Sequence, residues 1–340
     1  MKNSATPELS ARSTHKNAAT EMNIRSALRE AMTRLESAGV PSHALAAELL
    51  LMHALERDRT SLYTYPEDEI PLAALEKFQA LIAQRAAGAP TQYLTGKQEF
   101  WGLDFEVTHA VLIPRPETEH VIEVTLERLE TERKNAPLHL ADIGTGSGCL
   151  AIALAHELPH AEIIATDISR EALEVARRNA ARHNAADRIQ FVESDLFELF
   201  RGDESLSPQN PEHTRDLAAP HKNAGWQPAL RDDVPRLDAI VSNPPYIPLG
   251  KAAGLQREVR GHEPAIALFA GDDGLAIYIP LIREAPAFLK PRGLLVLELG
   301  HNSLPRVRST LERTRAWSDI RVTNDLAGIP RVISALAAAS

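Results

Sequence analysis

Asn243-Pro244-Pro245-Tyr246 is a segment of this 340-residue chain whose residue types can act together chemically. A planar amide or exocyclic amine is a poor nucleophile because its nitrogen lone pair is delocalised, so a protein that uses one must hold its N–H groups while aiming the nitrogen. Two hydrogen-bond acceptors are needed. The Asn243 side-chain oxygen is one and the Pro244 carbonyl is the other, since proline keeps its acceptor. The rigid Pro244-Pro245 pair fixes both, and Tyr246 offers a flat face to a planar group. Read without chemistry, the same residues are a turn, because Asn-Pro initiates turns and proline ends strands. Two things favour the chemical reading: the tetrapeptide closes the strand-like run Leu237–Ser242, and a given tetrapeptide arises by chance in a chain this long on the order of once in several hundred cases.

A second candidate lies upstream. An apolar run ending at Asp142-Ile143 leads into Gly144-Thr145-Gly146-Ser147-Gly148, followed by the apolar segment Cys149–Ala155. Glycines there permit a tight turn and let a ligand approach the backbone. A dinucleotide site spaces its glycines G-x-G-x-x-G, whereas this loop is G-x-G-x-G. Asp167 closes the next strand-like run about twenty residues on, placed to accept hydrogen bonds from ribose hydroxyls in either kind of site. Asp195 closes the one after, with Leu196 as an apolar wall. By itself the loop leaves several nucleotide-like ligands open, a nicotinamide dinucleotide among them. Cys149 reads as a buried small hydrophobe at a helix start rather than as a nucleophile.

These residues need a scaffold that brings them to one edge. Beyond Pro116 the chain alternates: helix around 117–132, strand His139–Ile143, helix 148–157, strand Glu162–Thr166, helix 170–184, strand Ile189–Glu193, strand Leu237–Ser242, helix around 274–289, strand Gly293–Glu298. Such alternation predicts an α/β domain with a doubly wound, mostly parallel sheet, and right-handed crossovers put the strand C-termini on one edge. Ahead of it, residues 23–89 read as a small helical domain, with apolar residues at Ile24, Leu28, Met32, Leu35 and at Leu45, Leu49, Leu50, His53, Leu55, and a further helix opening at Pro71. Residues 90–115 read as a β-hairpin linker, residues 116–340 as the catalytic domain, and the polar, proline-bearing stretch 201–236 as a flexible insertion.

Bulk properties narrow the function. The chain carries a formal charge of -9, the wrong sign for a protein that binds by neutralising nucleic-acid phosphates. One cysteine precludes an internal disulfide or a multi-cysteine metal site, and no metal is expected. No stretch has the roughly 18 uninterrupted apolar residues a membrane helix needs, and residues 1–22 are polar with no apolar signal segment, so a cytoplasmic protein is expected. Nothing demands more than a monomer.

The run Asp-x-Gly-x-Gly-x-Gly resembles motif I of class I methyltransferases. That resemblance implies S-adenosylmethionine as cofactor, with Gly144, Thr145, Gly146, Ser147 and Gly148 lining it, Asp167 on its ribose, Asp195 and Leu196 at its adenine, and Asn243 also in reach. The tetrapeptide resembles that of amino methyltransferases acting on planar nitrogens, adenine-N6 and glutamine-N5 enzymes alike, and does not separate them. The helical N-terminal segment, Arg85-Ala86-Ala87-Gly88, Tyr93-Leu94-Thr95-Gly96, Glu99-Phe100-Trp101-Gly102 and the 112–119 run Leu-Ile-Pro-Arg-Pro-Glu-Thr-Glu together resemble the peptide chain release factor glutamine methyltransferase (HemK) family, over most of the chain. This implies a class I Rossmann-like fold with a small helical domain, Asn243, Pro244, Pro245 and Tyr246 as the acceptor site, and the Gly-Gly-Gln glutamine of a release factor as acceptor. The segment after Pro114-Arg115 favours release factors over the ribosomal-protein substrate of a sister family, and the net charge disfavours adenine in nucleic acid. Arg115, Glu117 and Glu119 read equally as bordering the site or as a capped helix start. The chain departs from the family pattern at Ala46, where an aspartate is common, and in the length of the 201–236 insertion.

Overall fold

The computed structural model describes residues 22–129, 137–201 and 236–339. Almost all of the polar lead-in and of the insertion expected at 201–236 therefore lie outside the described residues. The chain divides into two compact units, Met1–Ala87 and Gly88–Ser340.

The smaller unit is helical: α1 Ile24–Ser37, α2 His43–Leu55, α3 Arg59–Thr64 and α4 Leu72–Ala86. Helix α1 begins where the Asn23 side chain accepts the Ser26 N–H at 2.9 Å, satisfying a donor that the helix itself leaves free. Its Ile24, Ala27, Ala31 and Leu35 form one buried face. In α2 the buried face is not the expected one: Leu45 and Leu49 are 47% and 37% exposed, while Ala46, Ala47, Leu50 and Leu51 are buried. The segment HALAAELLLMHAL is apolar nearly all round, so its periodicity selects no face and its packing against α1 and α4 does.

The larger unit opens with a short helix, α5 Thr91–Thr95, and an antiparallel hairpin, β1 Lys97–Phe100 with β2 Leu103–Glu106. Both turn residues have left-handed φ, Trp101 +54° and Gly102 +71°, which matches the twist of a two-residue hairpin. The hairpin read as a linker is docked within this unit. Glu106 donates its N–H to Asn179 Oδ1 at 2.7 Å and accepts from Asn179 Nδ2 at 3.0 Å.

Seven strands follow: β3 Leu138–Ile143, β4 Ala161–Asp167, β5 Ile189–Glu193, β6 Leu237–Ser242, β7 Leu289–Glu298, β8 Trp317–Asn324 and β9 Pro330–Ala337, in the order β5-β4-β3-β6-β7-β9-β8. From β5 to β7 neighbours are parallel, and β9 joins β7 and β8 antiparallel. The mostly parallel doubly wound sheet is thus as expected. Helices α6 Glu119–Arg128, α7 Cys149–Glu157, α8 Arg170–Arg182, α9 Tyr278–Phe288 and α10 Leu304–Thr314 accompany it. One core holds Ile152, Leu154, Ile163 and Val241; a second holds Ile143, Ile240, Leu281 and Ile333. The alternation of faces along β6 (Ile240, Val241) shows why a strand covered on both sides reads as a continuous apolar run.

Three differences from the sequence reading have local causes. The helix expected from 117 starts as a 3-10 turn, Pro116–Thr118, and becomes α-helical at Glu119. The helix expected from 274 starts at Tyr278, because Gly271 and Gly274 adopt φ of +70° and +76° and turn the chain first. The pair β8–β9 and helix α10 lie beyond the alternation that the sequence pattern predicts. Residues 332–337 are all buried, and a short buried apolar run does not declare itself as strand rather than helix. Among the described residues no helix is long and apolar enough to cross a membrane.

Candidate active site

The strand order reverses between β3 and β6, and that switch point is where a crevice opens at the C-terminal edge of such a sheet. The two strands pair in register, Leu140 opposite Ala239 and Asp142 opposite Val241, so they end side by side. The Ser242 hydroxyl donates to the Ile143 carbonyl at 2.6 Å and ties the two ends together. The glycine loop and the Asn-Pro-Pro-Tyr segment, nearly a hundred residues apart in sequence, therefore meet.

A cavity of about 290 Å³ lies there. Its wall includes Gly144, Thr145, Gly146, Ser147, Asp167, Asp195, Leu196, Asn243, Pro244 and Pro245, and also Thr118 and Cys149. Gly148 and Tyr246 are not on it. At Gly148, with φ +83°, a Cβ would lie 3.1 Å from Ile152 Cδ1 and 3.2 Å from the Ala176 Cβ, so the absence of a side chain here serves the close packing of α7 and α8. Tyr246 instead lines a second cavity of about 310 Å³, together with Arg115, Asn243 and Pro244. Asn243 and Pro244 thus belong to the walls of both.

The glycine loop is held from beneath. Gly144 and Thr145 N–H groups both donate to the Thr166 carbonyl at 2.8 Å. Asp167 accepts from the Gly146 N–H through Oδ2 and from the Ser169 N–H through Oδ1, each at 2.9 Å. Asp142, buried at the end of β3, accepts from the Thr145 hydroxyl at 2.6 Å and the Ala151 N–H at 3.2 Å. Around Gly144 and Gly146, which have φ of +76° and +56°, no atom comes within 4 Å of where a Cβ would stand, leaving open space over the loop. Leu196 also has a left-handed φ, +50°, which a branched side chain adopts only when its surroundings impose it.

Cys149 is only partly buried and faces the cavity, unlike the fully buried residue expected. Desolvation, reinforced by the nearby Asp142 carboxylate, pushes its thiol up to about 12, so it stays protonated and is a poor nucleophile.

Asn243 is fixed by a chain of side chains. Its Nδ2 donates to the Thr118 hydroxyl at 3.0 Å, and that hydroxyl donates to Glu298 Oε2 at 2.6 Å. The Tyr246 hydroxyl lies 3.4 Å from Glu298 Oε1. Burial raises the phenol of Tyr246 well above its usual range, so it is no general base near neutral pH. Its ring rests on Gly300, where any Cβ would collide with it. Arg115, Glu117 and Glu119 diverge: Arg115 pairs with Glu263, Glu117 faces Arg331 at 3.4 Å, and Glu119 accepts the Trp101 N–H at 2.8 Å. Thr118, between them, is the residue of this segment on the wall of the first cavity beside Asn243. Among the described residues no group of three or more His, Cys, Asp or Glu side chains could hold a metal ion.

Two stretches match described families: residues 26–96 the PrmC N-terminal domain and residues 121–211 the methyltransferase small domain. The release factor glutamine methyltransferase of Koribacter versatilis (strain Ellin345) is 41% identical over 312 residues, covering 92% of this chain and 98% of that protein. The protein of the same description from Moorella thermoacetica is 41% identical over 310 residues, covering 91% of this chain and 97% of its own length. The chain belongs to the release factor glutamine methyltransferase family.

In this release factor glutamine methyltransferase family member, Thr118, Asp142 and Glu298 support the site; of these the sequence reading includes Asp142 in the Asp-x-Gly-x-Gly-x-Gly run but assigns no role to any of the three. A common signal marks two of them: Asp142 and Glu298 each lie at or next to the C-terminal end of an apolar strand, as Asp167 does, on the edge where ligands collect. A carboxylate in a strand that is otherwise buried is costly to place there, and it persists only where it is hydrogen-bonded.

Asp142 makes that cost measurable. Desolvation raises its carboxyl to about 7, the Thr145 and Ala151 hydrogen bonds pulling the other way. The folded form therefore holds the proton more tightly than the unfolded chain, so the stability from this group is full below the usual carboxylate range near 4 and is lost as pH rises through about 7. Asp142→Asn keeps the shape and does not titrate. Between pH 5 and pH 8 the wild type should lose stability relative to this variant by on the order of 2 kcal/mol, read from urea unfolding of both proteins at the two pH values.

Proposed function

We infer that this protein transfers the methyl group of S-adenosylmethionine to the side-chain amide nitrogen N5 of the glutamine in the Gly-Gly-Gln motif of a peptide chain release factor. The observation that carries the reading is the 41% identity to a release factor glutamine methyltransferase over 98% of that protein's length. The position of Asn243 and Pro244 between two cavities agrees with it, one cavity bordered by the glycine loop and the other by Tyr246.

The first cavity fits the cofactor. Open space over Gly144 and Gly146 lets an amino-acid moiety lie against the backbone, the Asp167 carboxylate has lone pairs left for ribose hydroxyls, and Asp195 and Leu196 border the adenine position. When bound, the cofactor supplies an electrophilic methyl on a sulfonium. Gly148 lets α7 pack closely on α8 behind the loop.

On the acceptor side, Asn243 Oδ1 and the Pro244 carbonyl accept the two N–H groups of the glutamine amide and turn its nitrogen toward the methyl. Neither oxygen takes a hydrogen bond from the described residues. With the bound cofactor supplying the methyl and taking the electron pair of its carbon–sulfur bond, Asn243 Oδ1 and the Pro244 carbonyl would hold the two N–H groups more strongly as positive charge grew on nitrogen, which would stabilise the transition state over the ground state. The proton lost afterwards leaves to solvent, so no strong base is needed before attack. Holding both partners in line supplies a further part of the acceleration. Tyr246 packs on the amide plane.

The test is transfer of labelled methyl from S-adenosylmethionine to a purified release factor, to the same factor with its Gly-Gly-Gln glutamine replaced, and to duplex DNA. Label on the intact factor alone is expected. Label on the glutamine-replaced factor would move the acceptor elsewhere, and label on DNA alone would overturn the substrate.

A further inference from the structure

We propose that Thr118 and Glu298 are positioning residues for the methyl acceptor: an ionised Glu298 sets the direction of the Thr118 hydroxyl, and that hydroxyl sets which face of the Asn243 amide meets the substrate. The inference rests on the reading above, in which Asn243 Oδ1 accepts a substrate N–H.

A side-chain amide can be held either way round, and only one way serves this acceptor. With its oxygen toward the substrate, Asn243 accepts; turned over, it presents an NH₂ to an N–H group and repels it. Something must choose. A threonine hydroxyl has a single proton, and at 2.6 Å from an ionised carboxylate that proton belongs on the Glu298 side. Toward Asn243, 3.0 Å away, Thr118 can then only accept, so Asn243 must direct its NH₂ inward and keep its oxygen free. The chain runs one way, from amide to hydroxyl to carboxylate.

Protonating Glu298 removes the rule. The carboxyl can donate to Thr118, whose own proton is released toward Asn243, and the amide is then equally well held with its oxygen inward. The groups facing Glu298 bear on that proton. Burial raises its carboxyl to about 7; Glu117 pushes the same way, while the Thr118 and Tyr246 hydroxyls and the Arg331 guanidinium oppose it. Arg331 is itself held by Asp325 at 2.8 Å. The Tyr278 hydroxyl donates to the Glu298 backbone carbonyl at 2.7 Å, and the thiol of Cys149 senses the same carboxylate. The switch of the amide therefore falls near neutral pH.

Two measurements on the full chain test this. First, the side-chain ¹⁵NH₂ signals of Asn243, identified by their loss in Asn243→Ala, are followed from pH 5.5 to 8.5 without substrate. They should move through one midpoint near 7 in the wild type and lose that step in Glu298→Gln. Second, Thr118→Val, which keeps the shape but not the hydroxyl, should lower kcat at least about 10-fold while KM and S-adenosylhomocysteine affinity stay within about 3-fold, and Thr118→Ser should recover most of kcat. Signals of Asn243 that ignore pH, a fully active Thr118→Val, or a Thr118→Ser as impaired as Thr118→Val would each overturn the proposal. If the wild type methylates no release factor, the functional reading fails by itself, and the Asn243 signals still decide whether Glu298 orders the chain.

Discussion

Asn243→Ala is expected to lower kcat for methyl transfer to a release factor by about 10²–10³, with S-adenosylhomocysteine affinity changed less than about 5-fold. The size follows from the role proposed for the side chain. An acceptor pre-oriented toward developing charge acts without reorganisation, and the loss of one such group at a comparable site costs that order in rate. Its orientation comes from Thr118 and Glu298, so alanine removes a fixed dipole rather than a mobile one. The truncation also leaves the Thr118 hydroxyl without its partner, but Thr118 keeps its bond to Glu298, and the fold should hold. Calorimetry with S-adenosylhomocysteine beside steady-state kinetics checks both halves. An equal loss of cofactor affinity would place the role of Asn243 in the cofactor site alone.

Asp167→Ala should give the converse result: S-adenosylhomocysteine affinity falls by about 10²-fold or more, because hydrogen bonds donated by a diol to a carboxylate contribute about 1.5–3 kcal/mol each. The same carboxylate anchors the Gly146 and Ser169 N–H groups, so its loss would loosen the loop as well as remove the proposed ribose contact. Asp167→Asn separates the two. Its single carbonyl oxygen can serve one of those N–H groups but not both, so an intermediate loss is expected, and an affinity equal to wild type would show that the negative charge is not what holds the ligand. Burial raises the Asp167 carboxyl above its ordinary value, opposed by the Ser169 and Gly146 hydrogen bonds, so cofactor affinity should weaken on acidification as this group takes up a proton.

Much of this could be read from the chain itself, for a physical reason. Strands β3 to β7 and the helices between them follow from local pattern, since apolar runs and helical spacing report burial directly. The glycine loop and Asn-Pro-Pro-Tyr are likewise local, because backbone geometry and acceptor count are properties of a few consecutive residues. Their shared edge follows from the handedness of parallel crossovers.

Tertiary structure decided what depends on partners distant in sequence. It turned α2 so that Leu45 and Leu49 face outward, added the antiparallel pair β8–β9, and set Gly148 in the close packing of α7 on α8. It also joined Thr118, Asn243 and Glu298 into one hydrogen-bonded chain, across separations of 125 and 180 residues. A motif states which groups a site can offer. Which way round the Asn243 amide is held depends on a hydroxyl and a carboxylate that only the folded sheet brings beside it, because hydrogen-bond direction is set by neighbours in space and leaves no periodic trace in sequence.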